Sequence, residues 1–286
     1  MPTDYHFTEQ VALITGGGRG LGRAFAEALA HAGATVAIVA RSEDQLRDVA
    51  QAIEQASGRA LVFAADVTNR RAIEQVVAEI EQQVGHIDLL VNTAGIFRAL
   101  GQIAEVDPDD WWREVEINVR GTFLCTRAAL PGMVARGRGR IINIASAAGL
   151  RALPTTSAYC LSKTAVIRFS ESIAVEYGDR GVRAFAMHPG TVRTPMTNYI
   201  VESDEIGQRA PWVQQWFQQL YRDGADTPIE RSVELLMFLA SGQADALSGR
   251  FVDVDDDLDV LVHQADAIQR DDLFTLRLHT PQGANS

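Results

Sequence analysis

An α/β domain built on a doubly wound parallel sheet of about seven strands, with helices on both faces, is the architecture this sequence predicts. Three observations lead there. Short Val/Ile/Leu/Ala runs alternate with longer amphipathic stretches, the pattern of strands buried on both faces by the helices that connect them. One such run opens straight into a cluster of glycines and then into a helical pattern. The chain has 286 residues, 47% hydrophobic and 22% charged, and no Pro/Gly/Ser linker or internal repeat divides it, which fits one large domain with a sizeable core.

The elements follow in order. Val11-Ala-Leu-Ile-Thr15 is a continuous apolar run and the first predicted strand; apolar residues at three- and four-residue spacing begin near Gly20, and Gly33 marks the end of that helix. The second strand is predicted over residues 35–40. Ser42-Glu43-Asp44-Gln45 has the form of a capping box opening the next helix, which Gly58 should end. Further strands are predicted over 60–64, 87–92, 140–146, 182–188 and 250–254, with helices beginning near Asn69, Asp109, Ala158 and Ile229. Gly121 falls inside the Asp109 helical pattern at a cost of about 1 kcal/mol relative to Ala, for which close packing is the expected reason. Residues 195–226 are too long for an ordinary connection.

Charge and cysteine content narrow the function. The net charge of −11 repels phosphate backbones and anionic lipid surfaces, so neither nucleic acid nor membrane is an expected partner. No apolar stretch approaches the roughly 20 residues that span a bilayer. Met1 to Gln10 lacks a basic region followed by an apolar one, which makes the cytoplasm the expected location. Two cysteines, Cys125 and Cys160, and six scattered histidines give neither a disulfide framework nor zinc-ligand spacing, so no metal is expected.

Thr15-Gly16-Gly17-Gly18-Arg19-Gly20-Leu21-Gly22, between a strand and a helix, has the composition of a dinucleotide site: glycines permit a tight turn and close approach to a pyrophosphate, and the helix start offers free N–H groups. The end of the second strand, where an acidic residue would grip a ribose 2′-hydroxyl, holds Ala40 and Arg41. Arg41 together with Arg19 suits a 2′-phosphate, so NADP(H) is expected ahead of NAD(H), with NAD(H) possible.

The spacing Thr15-Gly16-x-x-x-Gly20-x-Gly22 resembles the fingerprint of the short-chain dehydrogenases/reductases. Other motifs fall in that family's order: Asn92-Thr93-Ala94-Gly95, Asn118, Ser146, Tyr159-x-x-x-Lys163, and Pro189-Gly190 followed by Val192 and Thr194. The resemblance covers roughly residues 8–254. It implies a single Rossmann-type domain that moves hydride between a nicotinamide cofactor and a carbonyl or alcohol. It further implies that Gly16, Gly18, Arg19, Gly20, Leu21, Gly22, Asp66, Val67, Asn92, Ala94, Gly95, Tyr159, Lys163, Pro189, Gly190, Val192 and Thr194 contact the cofactor, Asp66 at the adenine and Thr194 at the nicotinamide carboxamide. A homotetramer or dimer, paired through the helices of residues 109–133 and 158–177, is expected on the same ground.

The residues also argue the chemistry directly. Tyr159 and Lys163 are i and i+4 on one helix and share a face. A phenol titrating near 10 is a poor acid–base group at neutral pH, but a neighbouring ammonium favours the phenolate, so Lys163 is expected to lower the Tyr159 pKa. Ser146, at the carboxyl end of its strand, would hydrogen-bond the substrate oxygen, and Asn118 would order a water in the proton relay. Cys160 does not share a face with Tyr159 and reads as a buried inert thiol; His188 reads as a structural histidine. A non-catalytic sensor or scaffold on the same fold is the alternative function. A serine hydrolase does not fit Ile144-Ala-Ser146-Ala-Ala148, and a sugar-nucleotide epimerase needs a longer chain with a separate C-terminal domain.

Trp212, Val213, Trp216, Phe217, Leu220 and Tyr221 form an aromatic helical face within residues 195–226, expected to be a lid over a hydrophobic or bulky substrate. The catalytic domain is expected over 1–254 and an acidic extension over 255–286, packed on the same domain or on a neighbouring subunit. Where the family has a Val-Asp-Gly-Gly-like turn, this chain reads Val254-Asp255-Asp256-Asp257, and eight Asp against one Arg lie between Asp253 and Asp272. Such a run reads as a solvated face rather than a cation site. The apolar segment 273–278 is a candidate for docking on a second subunit.

Overall fold

A computed structural model describes residues 5–278. Seven strands run parallel: β1 (Val11–Thr15), β2 (Thr35–Ala40), β3 (Arg59–Ala64), β4 (Leu89–Asn92), β5 (Gly139–Ile144), β6 (Val182–His188) and β7 (Phe251–Asp253). Their order in the sheet is β3-β2-β1-β4-β5-β6-β7. The connecting helices are α1 (Gly20–His31), α2 (Glu43–Gln55), α3 (Arg70–Val84), α4 (Pro108–Val115), α5 (Thr122–Arg136) and α6 (Ser157–Tyr177). Then come α7 (Pro195–Glu202), α8 (Asp204–Arg209), α9 (Pro211–Arg222), α10 (Ile229–Ser241), α11 (Leu258–His263) and α12 (Ala265–Arg270).

Burial on both faces explains why the strands read as unbroken apolar runs. Side chains alternate along a strand, so Leu13 and Ile14, neighbours on β1, enter different cores. Ile14 packs with Phe25, Leu29, Ile38 and Leu236 on one face, and Leu13 with Ile73, Ile80, Leu90 and Met133 on the other. β1 pairs with β2 on one side and β4 on the other, so the chain reverses its direction of progress there. The carboxyl ends of those strands open the crevice that a ligand of such a sheet occupies.

Three local expectations need correction. The Ser42 capping box does not form: Ser42 precedes α2 without a side-chain cap, and Gln45 lies against Gly18 of the glycine loop instead of reaching back. The helix expected from Asp109 is interrupted by a π-helical stretch, Glu116–Gly121, which carries Asn118; such insertions often mark functional sites. The left-handed residue after α2 is Ser57, at φ 65°, and not Gly58. Gly121 meets its expectation, because a Cβ there would stand 2.6 Å from Val67 Cγ2.

After β7 the chain folds back onto its own domain. Leu261, Ala265 and Ile268 join the core that contains Leu235 and Leu236 of α10. Phe251 N–H donates to Phe274 O at 2.9 Å, covering part of the outer edge of β7. The nearly buried Arg250 donates to Gln269 Oε1 at 2.6 Å and to Asp272 Oδ1 at 3.3 Å, and Arg277 pairs with Glu171 at 2.6 Å. The aspartate run supplies turn and cap acceptors: Asp256 accepts from Asp253 N at 2.7 Å, Asp253 from Asp255 N at 3.1 Å, and Asp257 from Val260 N at 3.1 Å. Among the described residues no helix is long and apolar enough to cross a membrane.

Candidate active site

The glycine loop sits at the carboxyl end of β1, and its shape depends on missing side chains. Gly16 and Gly20 have φ of +67° and +54°, and a Cβ on Gly22 would stand 2.3 Å from the Gly16 carbonyl oxygen. Only glycine permits this turn. Arg19 precedes α1 without a side-chain cap, and no acid lies in the first helical turn, so the leading N–H groups have no side-chain acceptor among the described residues. A helix start of this kind binds an anion. Thr15 Oγ1 accepts from Thr93 N and Ala94 N, both at 3.1 Å, and so ties the end of β1 to the turn after β4. Ala94 borders Gly16, and Thr194 borders Gly20, within 3.6 Å of where a Cβ would be.

The structure therefore gathers Gly16, Gly18, Arg19, Gly20, Leu21, Gly22, Ala94, Gly95 and Thr194 around one crevice. Arg41 follows β2 on the same side, exposed and without an ion pair among the described residues, while Arg47 holds Glu43 of the adjacent helix at 2.6 Å. Asp66 is more committed than the sequence suggests. It accepts from Thr68 N at 2.9 Å and from Arg113 Nη2 at 2.9 Å. Burial pushes its pKa up, but the Thr68 hydrogen bonds and the Arg113 charge bring it below the ordinary carboxylate value. Asn92 is turned into the sheet, donating to Asn143 Oδ1 at 2.8 Å and Thr126 Oγ1 at 3.2 Å. Its Oδ1 is enclosed with no hydrogen-bond partner among the described residues. Thr194 caps α7 in a reciprocal pair with Thr197, Val192 is buried, and the Pro189 carbonyl accepts from Ser232 at 2.6 Å.

Four side chains meet beside this cradle. Ser146 follows β5, and its Oγ accepts from Ala148 N at 3.2 Å. Tyr159 and Lys163 rise from α6, with the ammonium 5.6 Å from the phenol ring centroid and donating to Ile144 O at 2.7 Å. Asn118 Nδ2 donates to Ile96 O at 2.9 Å and Ser162 Oγ at 3.0 Å, and its Oδ1 accepts from Ile96 N at 2.8 Å. A Cβ on Gly95 would stand 3.1 Å from Asn118 Oδ1 and 3.8 Å from Lys163 Nζ, so this glycine keeps open the space between them.

α7, α8 and α9 arch over the site. Val213 and Phe217 pack with Phe97, Leu100, Ile200 and Ile206, and Tyr159 lies against this cluster. Trp212 Nε1 donates to Thr155 Oγ1 at 3.0 Å, linking α9 to the loop before α6. The aromatic face thus divides: Val213 and Phe217 close on the 97–100 segment, while Trp216 is 48% exposed.

A family model described as short chain dehydrogenase matches residues 10–205. A 2-(S)-hydroxypropyl-CoM dehydrogenase of Xanthobacter autotrophicus is 37% identical over 247 residues, 86% of this chain and 95% of that protein. A crystal structure of levodione reductase superimposes with a TM-score of 0.80 at 31% identity, covering 92% of this chain and 100% of that one. A gluconate 5-dehydrogenase from Burkholderia cenocepacia, solved with NADP and tartrate, gives 0.76 at 30% identity, covering 89% of this chain and 97% of that one. The chain belongs to the short-chain dehydrogenase/reductase family. It is accordingly an NAD(P)-dependent oxidoreductase acting on CH–OH or C=O groups.

The electrostatics of Tyr159 and Lys163 depart from the sequence expectation. Burial pushes the Tyr159 phenol well above its ordinary value; the Ser146 side chain pulls it down, and the Glu114 carboxylate pushes it up. Lys163 does not control it. Instead burial lowers Lys163 itself to about 8, with Glu114 acting in the opposite direction. The reason is that both groups are enclosed, and desolvation is the largest cause for each. Burial also lowers His188, whose ring is stacked on Phe251 and whose Nδ1 is enclosed with no hydrogen-bond partner among the described residues. Cys160 is buried, with Sγ 3.2 Å from Thr156 Oγ1.

Two residues beside the site escaped the sequence reading of this short-chain dehydrogenase. Phe97 stacks on Tyr159 with centroids 4.1 Å apart, and Glu114 is a fully buried acid whose carboxylate acts on Tyr159 and Lys163 of α6. A signal existed only for Glu114, which lies four residues before Asn118.

Proposed function

We propose that this enzyme is an NADP(H)-preferring carbonyl reductase, reversible as a secondary-alcohol dehydrogenase, with Tyr159 as its acid–base group. The convergence of Ser146, Tyr159 and Lys163 at the carboxyl end of β5, beside the glycine cradle, carries the reading. Bound nicotinamide would supply or accept the hydride. In the reductive direction the Tyr159 hydroxyl donates its proton to the substrate oxygen, and Ser146 Oγ–H polarises that oxygen. Lys163, with a pKa near 8, exchanges a proton close to neutral pH and resupplies the phenol. Asn118 Oδ1 and Lys163 Nζ flank the space beside Gly95, where a water passes protons onward.

Arg41 and Arg19 favour the 2′-phosphate, because Arg41 is unpaired among the described residues and Glu43, the nearest helical acid, is held by Arg47. Phe97, Tyr159 and the lid aromatics favour a ketone with an apolar, bulky substituent. Exposed Trp112, Phe123 and Leu161 on α4, α5 and α6 suit a homo-oligomer paired through those helices. The testing experiment follows NADPH and NADH absorbance with acetophenone, cyclohexanone and 2-decalone. Tyr159→Phe should lower kcat by about 10²- to 10⁴-fold and leave the NADPH Kd unchanged; undiminished turnover would remove Tyr159 from the mechanism.

A further inference from the structure

Glu114 lies in the last turn of α4, one turn before Asn118, and is 0% exposed, an uncommon setting for a carboxylate. One oxygen, Oε2, accepts from two consecutive backbone amides, Arg98 N at 2.6 Å and Ala99 N at 2.8 Å. The other, Oε1, is enclosed with no hydrogen-bond partner among the described residues. Those amides belong to the segment that carries Phe97, whose ring lies on Tyr159 at 4.1 Å and 28°. The segment also faces the lid, because Phe97 and Leu100 pack against Ile200, Val213 and Phe217, and the Arg98 guanidinium lies 4.7 Å over the Tyr199 ring. A single buried carboxyl therefore fastens α4 to the floor on which the lid closes.

We propose that Glu114 is a positioning residue for catalysis: by binding the Arg98 and Ala99 amides it holds Phe97 on Tyr159 and so shapes the apolar wall of the substrate pocket. The inference rests on the reading of Tyr159 as the acid–base group. A buried acid is a costly way to stiffen a loop unless its geometry is needed, since a carboxylate must be desolvated to act there. Burial raises the Glu114 pKa while the two amides and the Lys163 charge lower it, so the group is sensitive to the same electrostatic field as the catalytic pair. The titratable groups facing it come from α6, namely Lys163 and Tyr159. The 97–101 segment contributes backbone donors.

The test uses the full chain with NADPH bound and three variants. Glu114→Ala leaves two buried N–H groups without an acceptor, Glu114→Asp keeps the charge but shortens the reach, and Glu114→Gln keeps an oxygen acceptor at full length. Hydrogen exchange over residues 97–101 should quicken at least about tenfold in the Ala and Asp variants and stay near wild type in the Gln variant. With whichever ketone of the panel is reduced fastest, KM should rise about tenfold in Ala and Asp, with recovery in Gln and an unchanged NADPH Kd. In a Phe97→Ala background, Glu114→Asp should add no further rise in KM, because the ring it positions is gone. Unchanged exchange, a parallel loss of NADPH affinity, or full additivity with Phe97→Ala would overturn the proposal. The exchange measurement reads the clamp whether or not Tyr159 is the acid, so failure of Tyr159→Phe and failure of the clamp are distinguishable.

Discussion

Replacing Lys163 by Met should make the protein less active but more stable at neutral pH, and the pH dependence of the difference gives the test its force. Lys163 is 7% exposed, and burial lowers its pKa from 10.5 to about 8. At about 1.36 kcal/mol per pH unit, keeping this ammonium charged inside the fold costs about 3 kcal/mol. Below pH 8 the folded and unfolded chains both hold the proton, and the whole cost is present. Between 8 and 10.5 the folded chain releases the proton while the unfolded chain retains it, so stability rises with pH. Methionine has no such proton and no such rise. It does lose the hydrogen bond to Ile144 O, 2.7 Å long, which is worth about 1.5–3 kcal/mol while the lysine is charged and offsets much of the gain at neutral pH. The difference between the proteins should therefore shift by about 3 kcal/mol in favour of wild type from pH 8 to 10.5. Urea unfolding of both cofactor-free proteins at pH 7, 8, 9 and 10 would measure most of that shift. Parallel stability profiles would show that Lys163 is not strained by burial, and would remove the ground for its proton exchange near neutral pH.

Arg41→Ala should weaken NADPH binding about tenfold or more while changing NADH little, measured by calorimetry; equal losses would show that Arg41 does not read the 2′-phosphate. Gly22→Ala would set a Cβ 2.3 Å from the Gly16 carbonyl, so it should cost about 1–3 kcal/mol in urea unfolding and abolish detectable cofactor binding. Normal binding would mean that the loop has slack. Trp212→Phe removes the 3.0 Å bond to Thr155 and keeps most of the aromatic surface; a loss of about 1 kcal/mol should raise the ketone KM about fivefold with kcat little changed. An unchanged KM would show that this link does not hold the lid.

Particular residues show what the chain alone made legible. The strand runs were readable because a two-sided sheet needs both faces apolar, and the observed strands fall within two residues of the expected ends. The glycine loop was readable because a close backbone turn leaves glycine as its only solution, as Gly22 against Gly16 shows. Tyr159 and Lys163 could be paired because i and i+4 on a helix share a face. Helix detail was less legible: Gln45 was expected to cap Ser42, but tertiary packing against Gly18 took it elsewhere. The π-helical stretch at Asn118 has no local sequence marker, since its register is set by contacts with Ile96 and Ser162, which are distant in the chain.

The sequence by itself determined the layered α/β architecture, the place of the glycine turn and the i, i+4 pairing of Tyr159 with Lys163. Each of these depends on local periodicity or on what a missing side chain allows. Tertiary structure alone decided how those side chains behave. Enclosure raised Tyr159 and lowered Lys163, because the cost of desolvating a charge depends on everything packed around it and not on its neighbours in sequence. It also turned the C-terminal segment back onto its own β7 and placed a carboxyl from α4 under the loop that carries Phe97. Both are contacts between residues far apart or across elements, and no periodic pattern encodes them.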